Sequence, residues 1–483
     1  MKRFLLFIGA VVVLLIAILT GRAVAARSMQ VAAPAAPPLA IERPPALARL
    51  ARAIQFQTVS YENRASSGEH DAFVAWLATA YPRVHASLRR EVVNGKSLLF
   101  TWSGSDPALE PVLLMGHYDV VPVEPGTESN WEQPPFSGAV SGGYLWGRGT
   151  IDDKTSVMAI LESTESLLGE GYRPKRTVLL AFGHDEEIGG RQGAAQIAKL
   201  LASRGVKLDA VFDEGGVIML RSSMTPRPLA LVGIAEKGSV SVELLASGKG
   251  GHSSMPPPRT QVGVIAAAVD RVQRRPFRAG VRGATAEFFR WLAPELPFGK
   301  RVVMSNLWLF RPLLEAQAKG SNSLNAMLRT TTAPTIIEGG VKENVIPSQA
   351  RAVINFRILP GDTSSSVTEH VRTAVDDANV KLRVAGNQEP SPVSDPRARP
   401  FATIQRTIAE VRPDTLVAPY LVVGATDARY FTPLTANVYR FIPVPLTETD
   451  LERFHGTNER IAVDDYFEAI RFYRTLLVNA AAR

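Results

Sequence analysis

The chain of 483 residues contains no cysteine. Disulfides, thiolate nucleophiles and cysteine-held zinc are therefore excluded, and any metal must be bound by His, Asp and Glu. Histidine is scarce as well, at seven residues, so few positions can supply an imidazole. Basic clusters are missing too: the formal charge is +8, but Lys and Arg are scattered along the chain. That pattern reads as ordinary surface charge and argues against nucleic acid as a partner.

What is present begins with a targeting segment. Lys2-Arg3 precedes the apolar run from Phe4 to Leu19, the pattern of a signal peptide or signal anchor over residues 1–27. Ala23-Val24-Ala25 has the small residues of a cleavage site, with Arg22 beside it, and the run is slightly short for a membrane span. Cleaved and anchored forms are both open. Either one places the rest outside the cytoplasm, in a periplasmic or extracellular space or held at a membrane. The segment is expected to stand outside the fold, and residues 28–45, rich in Ala and Pro, to form a flexible tether.

The remaining chain is long enough for two cores, with 46% apolar residues overall. Apolar positions at helical spacing from Ala46 to Thr58 lead to a polar loop at Ser66–Glu69, a helix near Asp71–Ala80 and a strand at Leu98–Trp102. Strands at Val112–Met115, Thr177–Phe182 and Ala210–Phe212 then alternate with helices at Thr155–Leu168 and Gly193–Ser203. Such alternation predicts an α/β domain with a largely parallel sheet.

Polar residues gather where those strands stop, and strand ends are where α/β enzymes place their chemistry. Val112-Leu113-Leu114-Met115-Gly116 runs into His117-Tyr118-Asp119. Side chains two apart on a strand point the same way, so both could meet one ion, or Asp119 could hold a neighbouring group. Gly147-Arg148-Gly149 leads to Asp152-Asp153-Lys154 at a helix start, where capping is the alternative to metal binding. His184-Asp185-Glu186-Glu187 follows a buried strand, and its acids repel one another unless a cation compensates them. Phe212-Asp213-Glu214-Gly215 closes another strand, and Phe454-His455-Gly456-Thr457-Asn458-Glu459 precedes the last helix at Val463–Ala480. Together these supply two histidines and several carboxylates to one sheet edge, the oxygen and nitrogen donors of a zinc-type site.

In that order, the strings Gly116-His117-Tyr118-Asp119-Val120-Val121-Pro122, Gly147-Arg148-Gly149 through Asp152 and Lys154, Asp185-Glu186-Glu187, Asp213-Glu214-Gly215 and His455-Gly456 resemble the M20 metallopeptidases. The family includes aminoacylase, carboxypeptidase S and N-acyl amino acid hydrolases, and the likeness is greatest to the last two. The resemblance implies two zinc ions per chain, with cobalt or manganese as substitutes. Asp152 would bridge them, His117 and Asp213 would complete one, and Glu187 and His455 the other; Glu214 is the rival of Asp213. Asp119 would orient His117. Zinc lowers the pKa of water to about 7, and Glu186 would take its proton and return it to the departing amine.

The resemblance also implies an inserted α+β lid of the dimerisation type. Strands at Val240–Ala246, near Thr332–Ile337, at Ala350–Ile358 and at Val380–Val384, with helices at Val262–Val272 and Ser366–Asp376, fit a small sheet covered on one face. The expected division is a catalytic domain over 46–230, a lid over 231–386 and a catalytic return over 387–483. Residues 284–328 read as extra helices, whose Phe288, Phe289, Trp291, Leu292, Trp308 and Leu309 are either core or an acyl-side pocket. By the resemblance, His252 would steady the oxyanion, worth about 3 kcal/mol of barrier. Asn344, Arg357, Gly424 and Arg429 would hold substrate, the last two at its free carboxylate, a surface pair of Asp427 with Arg429 being the alternative. A homodimer through the lid is implied, with monomers among members whose lid carries inserts. The expected activity is hydrolysis of an amide next to a C-terminal free amino acid, on short peptides, with an N-acyl amino acid hydrolase that also runs as a synthase as the second reading. A binding module without catalysis would need a lost ligand, and all are present.

Overall fold

In a computed structural model, residues 1–64, 67–222 and 224–482 are described. Ser66, expected to open a loop, lies outside them, and the helix that follows already starts at Gly68. The chain divides into two compact units. One comprises Arg27–Ile234, Ser394–Tyr420 and Thr426–Arg483, the other Met1–Ala26, Ala235–Val393 and Leu421–Ala425.

The larger unit is built on strands covered on both faces. Val112–His117 and Val178–Gly183 are buried at every position, which is why they read as unbroken apolar runs rather than alternating ones. They pair in parallel with His117 opposite Gly183, and Val112–His117 pairs in parallel with Ala210–Asp213 on its other side. Val438–Arg440 continues the parallel run, while Ser97–Trp102 joins the opposite flank antiparallel. On one face Leu113, Met115, Leu179 and Val211 meet Ile197 and Leu201 of the helix Ala194–Ser203. On the other lies Lys154–Gly169, buried at almost every position because it is sandwiched between sheet and the helix Val463–Ala481. The Ser163 hydroxyl donates to the Ile470 carbonyl at 2.9 Å across that helix pair.

The second unit holds an antiparallel sheet in the order Thr331–Gly339, Gln349–Ile358, Gly238–Ser247, Val380–Gln388. Alternate residues Val240, Val242 and Leu244, with Ala352, Ile354 and Phe356, pack against the helices Gln261–Gln273 and Ser364–Val375. This is the period-two pattern of a sheet covered on one face. The extra helices are four: Gly283–Leu292, Phe298–Ser305, Leu307–Ala318 and Asn322–Leu328. Their aromatics divide. Phe288, Phe289, Trp291 and Leu292 are core, whereas Trp308 and Leu309 are exposed.

The apolar segment forms the helix Lys2–Ala25, exposed along almost its whole length, with Ala23 buried near the end that meets the helix Phe298–Ser305. Residues 28–45 are not a free tether. Gln30 exchanges hydrogen bonds with the backbone of Val417 at 2.9 and 2.8 Å, the Gln405 amide donates to the Met29 carbonyl at 2.7 Å, and the Ala36 amide donates to Glu410 at 2.7 Å. Composition marked the segment as unable to build its own core; it borrows partners from the body. The first body helix starts at Arg43, three residues before the expected Ala46, with prolines in its first turn, where a missing N–H costs nothing.

Phe356 is fully buried in the core of the second unit. Phe356→Ala should lower stability by about 3–5 kcal/mol, read as an earlier midpoint in denaturant. Metal bound per folded chain should not change, because His117, Asp152, Glu187 and His455 all belong to the other unit.

Candidate metal centre

The parallel register brings the carboxyl ends of three strands side by side, and each end carries part of the site. His117 is the last residue of its strand and almost fully buried. Its Nε2 lies 3.0 Å from Asp152 Oδ1, while His455 Nε2 lies 3.2 Å from Asp152 Oδ2 and 3.2 Å from Glu187 Oε2. Asp152 thus offers one oxygen to each imidazole, the disposition of a bridging carboxylate. Ligand atoms of His117, Asp152 and Glu187 all fall within 4.8 Å of one another, and the three form a candidate metal-binding group.

Asp119 is fully buried and does not join that group. Its two oxygens accept the amides of Glu186 and Glu187 at 3.1 and 3.2 Å, and Oδ1 lies 3.4 Å from His117 Nδ1. One carboxylate therefore sets the imidazole and the turn that carries both glutamates. Gly116 has room for this arrangement only because it lacks a side chain: a Cβ there would lie 2.9 Å from Asp153 Oδ2.

The electrostatics ask for cations. Burial pushes the Glu186 carboxyl well above its usual range, and Asp427, Glu187 and Asp152 add to the shift. Burial and then the Asp152 charge raise Glu187 to about 7. Hydrogen bonds to Asp152 and Glu187 raise His455 to about 10. Burial alone would raise Asp152, but its hydrogen bonds from His117 and His455 outweigh this and hold it low. Among the described residues, Glu187 Oε1 and both oxygens of Asp427 are buried without hydrogen-bond partners. Orphaned buried oxygens beside two imidazoles, with no sulfur available, fit divalent cations bound by nitrogen and oxygen.

The neighbours Asp213 and Glu214 face different surroundings. Asp213 Oδ2 accepts the Ala428 amide at 2.8 Å, and Arg440 lies in its field. Glu214 is raised by burial and next by Asp152, with Asp213 and Glu186 following. Asp153 stands at the start of the helix Lys154–Gly169, yet its side chain makes no cap hydrogen bond, so capping does not account for it.

Outside the cluster, the expected substrate residues are distributed over both units. His252, Asn344, Arg357 and Gly424 belong to the second unit, Arg429 to the first. The Ser253 amide donates to the Asn344 carbonyl at 3.1 Å, and Gly251-His252 pairs with Val345-Ile346, so His252 and Asn344 share one small ribbon. Arg429 spends Nη1 on the Thr426 carbonyl at 3.0 Å and Nη2 on that of Gly189 at 2.7 Å, tying its loop to the turn behind Glu187. The surface pair of Asp427 with Arg429 is not found, since Asp427 is buried.

Glu459 is a residue of the site to which the sequence assigns no role. It is fully buried, and its Oε1 accepts the amides of Gly149, Ile151 and Asp152 at 3.0, 2.7 and 3.2 Å, while Oε2 takes Arg148 Nη1 at 2.6 Å. Arg148 Nη2 in turn donates to the carbonyls of His455 and Gly456 at 3.0 and 2.9 Å. The pair rivets His455 to the turn carrying Asp152. The only signal for it was an acid four residues after the histidine.

Residues 113–479 match the sequence pattern of the peptidase family M20/M25/M40. The chain is 40% identical over 439 residues to the probable carboxypeptidase S-like 2 of Dictyostelium discoideum, covering 89% of this chain and 84% of that protein. It is 42% identical over 438 residues to the human N-fatty-acyl-amino acid synthase/hydrolase PM20D1, covering 89% and 86%. Among solved structures, the M20 family metallo-carboxypeptidase Sso-CP2 from Sulfolobus solfataricus matches with a TM-score of 0.66 at 20% identity, over 89% of this chain and 98% of that one. That last likeness concerns the fold, a catalytic domain with a lid, and the sequence matches carry the rest. The chain belongs to peptidase family M20/M25/M40 and is a metallopeptidase-type amide hydrolase.

Proposed function

We propose that this chain hydrolyses the amide bond next to a C-terminal free amino acid, using two zinc ions. The observation that supports this reading best is Asp152 offering one oxygen to each of two imidazoles, with Glu187 against the second and Glu186 beside it. His117, Asp152, Glu187 and His455 would hold the ions, and Asp213 would complete the set with Glu214 as its rival, because the Ala428 amide orients Asp213 through one oxygen and leaves the other, and His117 acts on Asp213. Zinc bound there would polarise the scissile carbonyl and acidify a water. Glu186 takes the proton of that water and hands it to the departing nitrogen. Burial, which raises its carboxyl, favours its holding the proton between the two transfers. Asp119 keeps Glu186 and Glu187 apart in role by holding both their amides.

His252 and Asn344, held together on one ribbon, are the proposed oxyanion and substrate contacts, with Arg357 and the loop at Gly424 for the free carboxylate. Arg429 acts here through the Gly189 carbonyl, as a positioning residue. A second reading takes N-fatty-acyl amino acids in place of peptides, and 42% identity to the human enzyme of that name supports it. The helix Lys2–Ala25, long and apolar enough to cross a membrane, supports export with retention as an anchor. The outer strand Thr331–Gly339, exposed at Ile336 and Ile337, supports pairing of two chains through the lid.

Three outcomes test the site. Glu186→Gln should bind the same zinc per chain by elemental analysis while losing at least about a thousandfold in kcat, the scale of a missing proton-transfer group and its electrostatics; a panel of dipeptides and N-fatty-acyl amino acids on the unaltered chain names the substrate class. Asp213→Asn should lose about one zinc per chain and Glu214→Gln should keep both, and the reverse would make Glu214 the ligand. Glu459→Ala leaves the buried Arg148 unpaired, so a stability loss of about 3–5 kcal/mol should accompany weaker retention of the zinc held by His455, followed by chelator competition.

A further inference from the structure

We infer that the four-helix insert of the second unit is a bilayer-apposed platform, with Phe298, Trp308, Leu309 and Leu313 entering the headgroup region of a phospholipid membrane beside the N-terminal helix. The helix Lys2–Ala25 has 24 residues, about 36 Å at 1.5 Å per residue. A hydrocarbon core is about 30 Å thick. Its contact with the insert is made near its C-terminal end: the Asn306 amide donates to the Leu19 carbonyl at 3.0 Å, and Arg22 Nε donates to the Ser305 carbonyl at 3.3 Å. Leu19 is the last residue of the apolar run that starts at Phe4, about 22 Å along the helix from it. The run is shorter than the core, so a bilayer spanned by it thins locally or draws the helix end inward, and either one keeps the junction between Phe298–Ser305 and Leu307–Ala318 at or just inside the boundary where hydrocarbon gives way to headgroups.

The side chains presented there fit that depth. Phe298, Trp308, Leu309 and Leu313 are 53, 58, 37 and 50% exposed, four large apolar residues within one short stretch of the fold. In water such a patch is unfavourable; at an interface Trp and neighbouring aliphatic side chains are the usual anchors. Beside them lies a cavity of about 420 Å³ between the end of the N-terminal helix and the insert, lined by Ala25, Phe289, Met304, Leu307 and Trp308 with Arg22 at its polar side. Lipid tails and headgroups would occupy it. Continuity with the apolar helix singles out lipid as the occupant, because a soluble protein partner would have to share that depth with the bilayer.

The inference rests on the anchor reading of residues 2–25 and not on the substrate. Because the chain has no cysteine, a single introduced thiol takes a fluorescent label uniquely. Full-length Ile8→Cys, Trp308→Cys, Leu313→Cys and, as control, Val341→Cys, which is 95% exposed, would be reconstituted in phosphatidylcholine vesicles carrying nitroxide-labelled lipids. Quenching at 308 and 313 by shallow nitroxides, at least twofold above that at 341, is the expected result; Leu313→Cys carries the test should Trp308→Cys fail to fold. Quenching at 8 without quenching at 308 or 313 overturns the platform and leaves the anchor. Blue-shifted but unquenched labels at 308 and 313 also overturn it, in favour of a protein cover. No quenching at 8 overturns the anchor and the platform together.

Discussion

Like charges brought together out of water are the constraint on which this structure turns. Asp152, Asp153, Glu186, Glu187, Asp213 and Glu214 converge at one edge of a sheet, and burial raises the carboxyls of five of the six. Only Asp152 is held low, by two imidazoles. No fold gathers such groups for packing, since each could be replaced by a smaller apolar residue at lower cost. The cluster makes sense as a donor set for divalent cations. The parallel register puts strand ends side by side, the close approach at Gly116 admits Asp153, and Asp119 fixes the glutamate turn, all serving that concentration of charge.

How much of this was readable in advance depends on how local each signal was. Strands buried on both faces announce themselves as apolar runs, so Val112–His117 and Val178–Gly183 were legible to within a residue or two, as was the alternating sheet of the second unit. His117, Asp152, Glu187 and His455 stood out because polar residues after a buried strand, or in glycine-rich turns, are expensive without a reason. The choice between Asp213 and Glu214 was not legible. Adjacent acids look alike in sequence, and the surroundings that distinguish them come from far along the chain, as the amide of Ala428 on Asp213 does from more than two hundred residues away. The segment at 28–45 misled for a related reason: Ala and Pro say that a stretch cannot fold alone, but not that Val417 and Glu410 will receive its hydrogen bonds. Arg429, expected at a substrate carboxylate, also donates within the fold to the carbonyls of Thr426 and Gly189, which the chain order does not announce.

His455 shows what the return of the distant end of the chain brings to the site. His455 has a φ of 59° and Asn458 one of 60°, left-handed conformations that non-glycine residues adopt at a cost of about 1–2 kcal/mol. Asn458 recovers part of that by donating to the Asn130 carbonyl at 3.0 Å and accepting the Glu132 amide at 2.7 Å. His455 has no such local recompense; it is held by Arg148 through its own carbonyl and that of Gly456. Arg148 can do this because Glu459 neutralises it, and Glu459 is itself anchored on the amides leading into Asp152. A charged pair buried at 3% and 0% exposure is poor value as stabilisation. It is well suited to registering two segments, because neither partner tolerates being left alone. The glycines flanking Arg148 and the acid after His455 are thus two halves of one device, and the distance between the two imidazoles follows from their meeting.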